Sequence, residues 1–222
     1  MHFNAHLHLE TTSSSKYYWR VSRNPREWEE LLALSHNYPN QLFSIGVHPW
    51  WANEWNESIE SQFCRLIEKY PQLQIGEIGI DSKCDIPINI QLKCFYGQMK
   101  IAQKFERKVN IHLVGHYDLM EKALRENTCL ALIHAYGGSV EWMKQMEALG
   151  VKFSFGEEVL HPNRLKAKKA FIACKEPFLE SDERVYSQAK ELFFVDEMAK
   201  LRGLERLEFE VHLKMQFERL FG

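Results

Sequence analysis

No two cysteines of this chain form a Cys-x-x-Cys pair, and the five present (Cys64, Cys84, Cys94, Cys129 and Cys174) are odd in number. That excludes a zinc-ribbon site and argues against a disulfide framework, pointing to a reducing compartment and buried structural thiols. No apolar run approaches the ~18 residues that a membrane span needs. The opening MHFNAHLHLE lacks a basic segment followed by an apolar one, so no signal peptide is expected and the expected location is cytoplasmic, away from membranes. Neither sign of charge is in excess: 28 Lys and Arg against 30 Asp and Glu leave a formal net charge of -2. A protein held on nucleic acid mainly by a basic surface is therefore disfavoured. An enzyme that grips one or two phosphates at a metal site remains open. Low-complexity tracts, linkers and internal repeats are absent too, and nothing signals an obligate protein partner.

What is present is an ordinary globular composition, 45% hydrophobic and 26% charged over 222 residues, which fits one domain spanning 1–222. Short apolar runs alternate with longer amphipathic stretches, the rhythm of repeated βα units on a parallel sheet. Strands are expected at 2–8, 17–22, 42–47, 73–79, 109–113, 129–134, 151–155 and 177–181. Helices are expected at 25–37, 55–69, 88–106, 117–126, 139–148, 161–172, 184–202 and 205–220. Asn24 before Pro25 is a helix-start signature, and Ser139 after the Gly137-Gly138 pair is another. Leu92, Phe95, Met99 and Ala102 recur at helical spacing and mark an apolar face. The expected fold is α/β, a (β/α)8 TIM-type barrel, abbreviated because the usual size is roughly 250 residues. An open doubly wound sheet is the competing architecture.

The residues that carry chemistry sit where these strands end. Alternate side chains of a strand share a face, so Asn4, His6 and His8 point one way. Imidazoles one residue apart can reach one metal ion. Glu77 lies between Gly76 and Gly79 in an apolar run, and a buried carboxylate there needs a partner or a metal. His112 and His134 each close a short apolar run, as do Glu180 and Asp182. Singly, each has a bland reading: a satisfied core histidine, a strand end with a turn, a solvated charge. Together they put histidine or acid at the C-terminal ends of five strands, where barrel active sites are built. Convergent metal ligation is the simplest cause. Nitrogen-and-oxygen donors suit zinc, manganese, iron or nickel, and carboxylates with water also hold magnesium.

This set resembles the TatD family of metal-dependent hydrolases, within the amidohydrolase-like superfamily of barrels. The similarity runs in order along the chain: His6 and His8; Gly46-Val47-His48-Pro49; Gly76-Glu77-Ile78-Gly79-Ile80-Asp81; Gln91 and Phe95; His112; Ile133-His134-Ala135-Tyr136-Gly137-Gly138-Ser139; Ser154-Phe155-Gly156; Glu180-Ser181-Asp182; and Arg219-Leu220-Phe221-Gly222. The resemblance implies two divalent metal ions (zinc, magnesium or manganese). The first would be held by His6, His8, Glu77 and Asp182, the second by Glu77, His112 and His134, with Glu77 bridging. It also implies a deoxyribonuclease-type phosphodiesterase with His48 contacting the substrate phosphate. Three departures bear on the substrate. Asn4 stands where the family has Asp, Leu113-Val114 where it has Ser-Arg, and Glu183-Arg184-Val185 runs straight toward a helix where it carries a proline and an Arg-Asn-x-Pro stretch.

The mechanism expected from this set is attack on a phosphorus or carbonyl centre by a metal-activated hydroxide. Glu77 would bridge the metals, Asp182 would take the proton and pass it to the leaving group, and His48 would stabilise developing charge. DNA or a small phosphoester is the expected partner. Two alternatives stand beside it. One is hydrolysis of a small-molecule ester, amide or phosphate on the same binuclear site. The other is a non-catalytic metal-binding descendant. Trp50, Trp51 and Trp55 are either base-stacking side chains or loop packing. Arg164, Lys166, Lys168 and Lys169 read as a solvated helix face, with phosphate contact as the lesser option, and Tyr17, Tyr18 and Trp19 as strand packing.

Overall fold

The computed structural model of the chain describes residues 3–9, 17–39, 41–182, 184 and 186–221. Its eight strands are β1 (Phe3–Leu7), β2 (Tyr17–Val21), β3 (Leu42–Ile45), β4 (Leu73–Asp81), β5 (Val109–Val114), β6 (Ala131–Ile133), β7 (Lys152–Phe155) and β8 (Pro177–Leu179). Every neighbouring pair is parallel, and the strand order is sequential from β1 to β8. A bridge from Leu7 to Asp182 joins the first strand to the segment after the last, and the Asp182 N–H donates to the His6 carbonyl at 3.1 Å. Sequential order with that closure makes a (β/α)8 barrel. A doubly wound sheet reverses its strand order at a switch point and is excluded.

Among the described residues eight α-helices follow β2 to β8, two of them after β8: α1 (Trp28–Asn37), α2 (Glu57–Lys69), α3 (Ile88–Lys104), α4 (Tyr117–Arg125), α5 (Val140–Ala148), α6 (Leu165–Ala173), α7 (Gln188–Leu201) and α8 (Arg206–Phe221). Capping side chains decide several starts. Asn24 caps a 3-10 turn over Pro25–Glu27, so α1 begins at Trp28 rather than at 25. Asn56 accepts from the N–H groups of Ser58 and Ile59 at 3.0 and 3.1 Å and starts α2 two residues later than 55. Ser139 caps α5 as expected. Ser187 caps α7, which therefore begins at Gln188 and not at 184. Each such cap satisfies helix-end N–H groups that have no partner within the helix. A 3-10 turn over Glu157–Leu160 delays α6 to Leu165. The expected strand start at 2 and residues 183 and 185 lie outside the described residues. β8 is shorter than the expected 177–181: regular pairing stops at Leu179, although the Glu180 N–H still donates to the Phe155 carbonyl at 3.2 Å. β4 is longer than expected and carries its pairing with β5 on to Asp81 and Val114.

The core fills both sides of the sheet. Ile45, Ile75, Ile78, Ile111, Ile133 and Phe153 are fully buried, and helices add Phe63, Phe95, Met143, Phe171 and Met198. α8 covers the seam between β1 and β8: Phe217 meets Phe178 and Phe3 at ring distances of 5.1 and 5.4 Å. Asn4 ties the same seam from within, donating to Ser181 Oγ at 2.7 Å and accepting from the Ser181 N–H at 3.1 Å. Tyr18 and Trp19 are buried in the barrel, as strand packing requires.

Candidate metal centre

Three neighbouring strands deliver the centre of the site because β4 is built to be approached. Gly79 has φ +155 and faces the His112 carbonyl so closely that a Cβ there would overlap it. Gly76 has φ +153 and would place a Cβ 2.8 Å from the Asn110 carbonyl oxygen. Glycine supplies both the backbone conformation and the missing side chain. Glu77, between them, is thereby pressed into the barrel mouth with 1% of its surface exposed.

The two carboxylate oxygens of Glu77 face different groups of nitrogens. Oε2 lies 3.6 Å from His6 Nε2 and 3.5 Å from His8 Nε2. Oε1 lies 2.8 Å from His112 Nδ1, 2.8 Å from His134 Nε2 and 3.4 Å from His48 Nε2. Asp182 completes the first group: its Oδ1 is 3.2 Å from His8 Nε2 and 3.8 Å from His6 Nε2. His6 Nε2 and Glu77 Oε2 are buried yet make no hydrogen bond among the described residues. Buried polar atoms without partners are rare, and here two of them converge on one point. The trios His6–His8–Glu77 and His48–Glu77–His112 each bring ligand atoms within 4.8 Å of one another. All seven residues singled out in the sequence therefore meet at one mouth. His48 stands closer to Glu77 than a purely substrate-facing residue need be, within ligand reach of the second group.

The remaining ring nitrogens are held from behind. His6 Nδ1 pairs with Asn110 Oδ1 at 2.8 Å, and Asn110 Nδ2 donates to the Ala5 carbonyl at 3.1 Å. His112 Nε2 pairs with Asp81 Oδ2 at 3.1 Å, and His134 Nδ1 with Glu180 Oε1 at 3.4 Å. Glu180 also accepts from the Ala135 N–H at 3.0 Å and from Ser154 Oγ. Such partners fix the ring angle and tautomer of a metal-binding histidine. Asn110 escaped the sequence reading. Its one signal was its place two residues before His112, on the same strand face.

The charges match a cage made for cations. Burial pushes His6 down to about 4, with His134 acting in the same direction. Burial also lowers His48. At His8, His112 and His134 burial opposes protonation but is outweighed, by Asp182 and Glu77, by Asp81 and Glu77, and by Glu77 and Glu180, so all three are raised. Burial likewise fails to neutralise Glu77, which His48, His134 and His6 hold well below the usual carboxylate range. Asp182 is lowered against burial by its hydrogen bond with His8. The protein thus keeps its carboxylates anionic and recruits protons where a divalent cation would bring charge.

The chain is thus an eight-stranded barrel with a cluster of histidines and carboxylates at its C-terminal mouth. The chain belongs to the TatD related DNase family, whose sequence model matches residues 4–222. Among curated proteins it is 24% identical to an uncharacterized metal-dependent hydrolase, YjjV, of Escherichia coli, over 62% of this chain and 55% of that one. It is 30% identical to the 3'-5' ssDNA/RNA exonuclease TatD of Pectobacterium atrosepticum, over 72% of this chain and 64% of that protein. The matches thus span less than two thirds of either relative's length. The solved structure of YjjV superposes with a TM-score of 0.80 at 20% identity, covering 91% of this chain and 85% of the other, a likeness of fold. No helix among the described residues is long and apolar enough to cross a membrane.

Proposed function

We propose that the chain is a metal-dependent hydrolase that cleaves phosphodiester bonds of nucleic acid. His6, His8, Glu77 and Asp182 hold one divalent cation, and Glu77, His112 and His134 hold a second. The observation that carries this reading is the division of the Glu77 carboxylate between two groups of imidazole nitrogens, 3.5–3.6 Å on one side and 2.8 Å on the other. A carboxylate so shared suits two cations and has no use in a plain core. Neutral imidazoles with carboxylates favour zinc or manganese, and the carboxylate share admits magnesium. When bound, such cations supply Lewis acidity and lower the pKa of water.

The side chains of this protein supply the rest. Asn110, Asp81 and Glu180 aim His6, His112 and His134. Asp182, with 41% of its side chain exposed, is the cluster carboxylate best placed to accept a proton and exchange it with solvent. His48 Nε2 faces the mouth beside Glu77 and can donate to a substrate oxygen. Arg23 shares that rim: its carbonyl accepts from the His48 N–H at 2.8 Å and its charge opposes protonation of His8. Its side chain pairs with Glu27, Nε to Oε1 at 3.5 Å, so that charge is already engaged within the protein. The exonuclease name carried by the Pectobacterium relative supports nucleic acid as substrate.

A second reading, hydrolysis of a small phosphoester on the same cations, is favoured by Leu113 and Val114. They are partly buried apolar groups where the family's pattern has Ser-Arg. Assaying the manganese- or zinc-loaded protein on single-stranded oligonucleotides and on small phosphodiesters separates the two. Oligonucleotide cleavage with two bound metals per chain is expected. Turnover of small esters alone would overturn the nuclease reading, and a chain that binds no divalent cation would overturn both.

A further inference from the structure

We infer that the indole of Trp50 is the platform on which a nucleobase of the substrate stacks, so that the site takes an unpaired, base-bearing phosphodiester. This deepens the nuclease reading and rests on it. Of the three tryptophans after His48, Trp55 is buried and Trp51 half-buried, which makes both of them loop packing. Trp50 alone is 55% exposed. Other large apolar side chains are as exposed, Phe193 among them, but Trp50 stands beside the site, where its ring is available to a ligand.

The ring is also held still. Its Nε1 donates to Asp81 Oδ2 at 2.9 Å, and Asp81 is buried and accepts from the Lys83 N–H at 2.8 Å. Its backbone N–H donates to His48 Nδ1 at 3.2 Å. A ring fixed in advance loses little freedom when a ligand stacks on it. None of its ring neighbours lies parallel on it. His48 meets it at 84° and 5.0 Å, His112 at 69° and 6.4 Å, and Trp51 at 38° and 6.2 Å; none of these is stacked. Those distances put the indole within about one nucleotide of the histidines, so a phosphate among them would bring its own or an adjacent base onto the ring. A base inside a duplex has both faces covered, so only an unpaired or splayed base can use the platform.

The test compares Trp50→Ala and Trp50→Phe on octathymidylate and on an abasic phosphodiester chain of equal length. The readouts are kcat and KM in manganese, and fluorescence anisotropy binding in chelator. Stacking on an aromatic ring predicts a 5- to 150-fold loss of affinity or rise in KM for Trp50→Ala on octathymidylate. The abasic chain should be unaffected, and Trp50→Phe, which keeps a ring but loses the bond to Asp81, should recover most of the loss. Equal losses on both chains, or Trp50→Phe failing as Trp50→Ala does, would overturn the inference and make Trp50 a support for Asp81 and His112. Wild-type protein that cleaves neither chain would sink the nuclease reading, and the binding arm would still decide the platform: no preference for bases over the abasic chain overturns it.

Discussion

Asn110 gives the sharpest test of the cage, because it touches a proposed ligand without being one. Its side chain is fully buried and makes two hydrogen bonds, to His6 Nδ1 at 2.8 Å and to the Ala5 carbonyl at 3.1 Å. With His6 Nε2 aimed at Glu77, Nδ1 must carry the ring proton and donate to Asn110 Oδ1. Asn110→Ala strands both His6 and Ala5, at about 1–3 kcal/mol each. The expected loss of about 2–6 kcal/mol is a large part of a domain's typical stability of about 5–15 kcal/mol. Freed to rotate, His6 should bind metal about 10- to 100-fold more weakly. Asn110→Asp keeps the acceptor for His6 but loses the donor to Ala5 and sets a buried carboxylate oxygen against that carbonyl. Its metal affinity should stay at or above the wild-type value, while its stability falls by more than the about 1–3 kcal/mol of the lost hydrogen bond. Denaturant unfolding without metal and equilibrium dialysis with manganese measure the two quantities separately. If both variants lose metal affinity equally, orientation of His6 is not what Asn110 provides, and the assignment of His6 as a ligand fails with it.

The remaining expectations concern the cluster and the thiols. Glu77→Gln should reduce bound metal below two per chain and cut turnover more than about 100-fold; full occupancy by elemental analysis would refute the bridge. Asp182→Ala should cut turnover by orders of magnitude with an unchanged circular dichroism spectrum, and a pure preparation with full activity refutes its role as base. His8, His112 and His134, whose values are raised above the ordinary 6.5, stabilise the metal-free fold while protonated and lose that contribution as pH rises. The melting temperature of metal-free protein should therefore fall from pH 6.5 to 8.5. The gain from added manganese should grow over that range, since metal displaces those protons; a flat metal-free profile would refute it. Burial pushes the Cys94 thiol up to about 12, so at pH 8 it should resist iodoacetamide in the native protein while the half-buried Cys64 and Cys84 react. Mass spectrometry after a timed pulse reads this directly.

The strand rhythm was legible because each barrel strand here is a short apolar run bounded by polar loops, and the run carries its own identity. Boundaries were less so. Asn56 and Ser187 set helix starts by side-chain hydrogen bonds, and either residue is equally at home in a loop. The end of β8 was placed too late, at 181, because Glu180 and Ser181 follow an apolar run as strand residues would, yet regular pairing stops at Leu179. Trp50 and Trp55 are chemically alike in sequence, and only packing separates the exposed ring from the buried one.

The sequence by itself determined the repeating βα pattern and which strand ends carry histidine or acid, because side-chain periodicity and apolar runs are local properties of a chain. It also placed His6 and His8 on one face, since that follows from a two-residue period. Only the tertiary structure decided that Glu77 divides its oxygens between two groups, that Asn4 closes the seam to Ser181, and that Asn110, Asp81 and Glu180 stand behind three histidines. Those relations join residues up to 177 positions apart. They exist because barrel closure and strand register bring distant side chains into a space from which water is excluded, where each buried polar atom must find a partner.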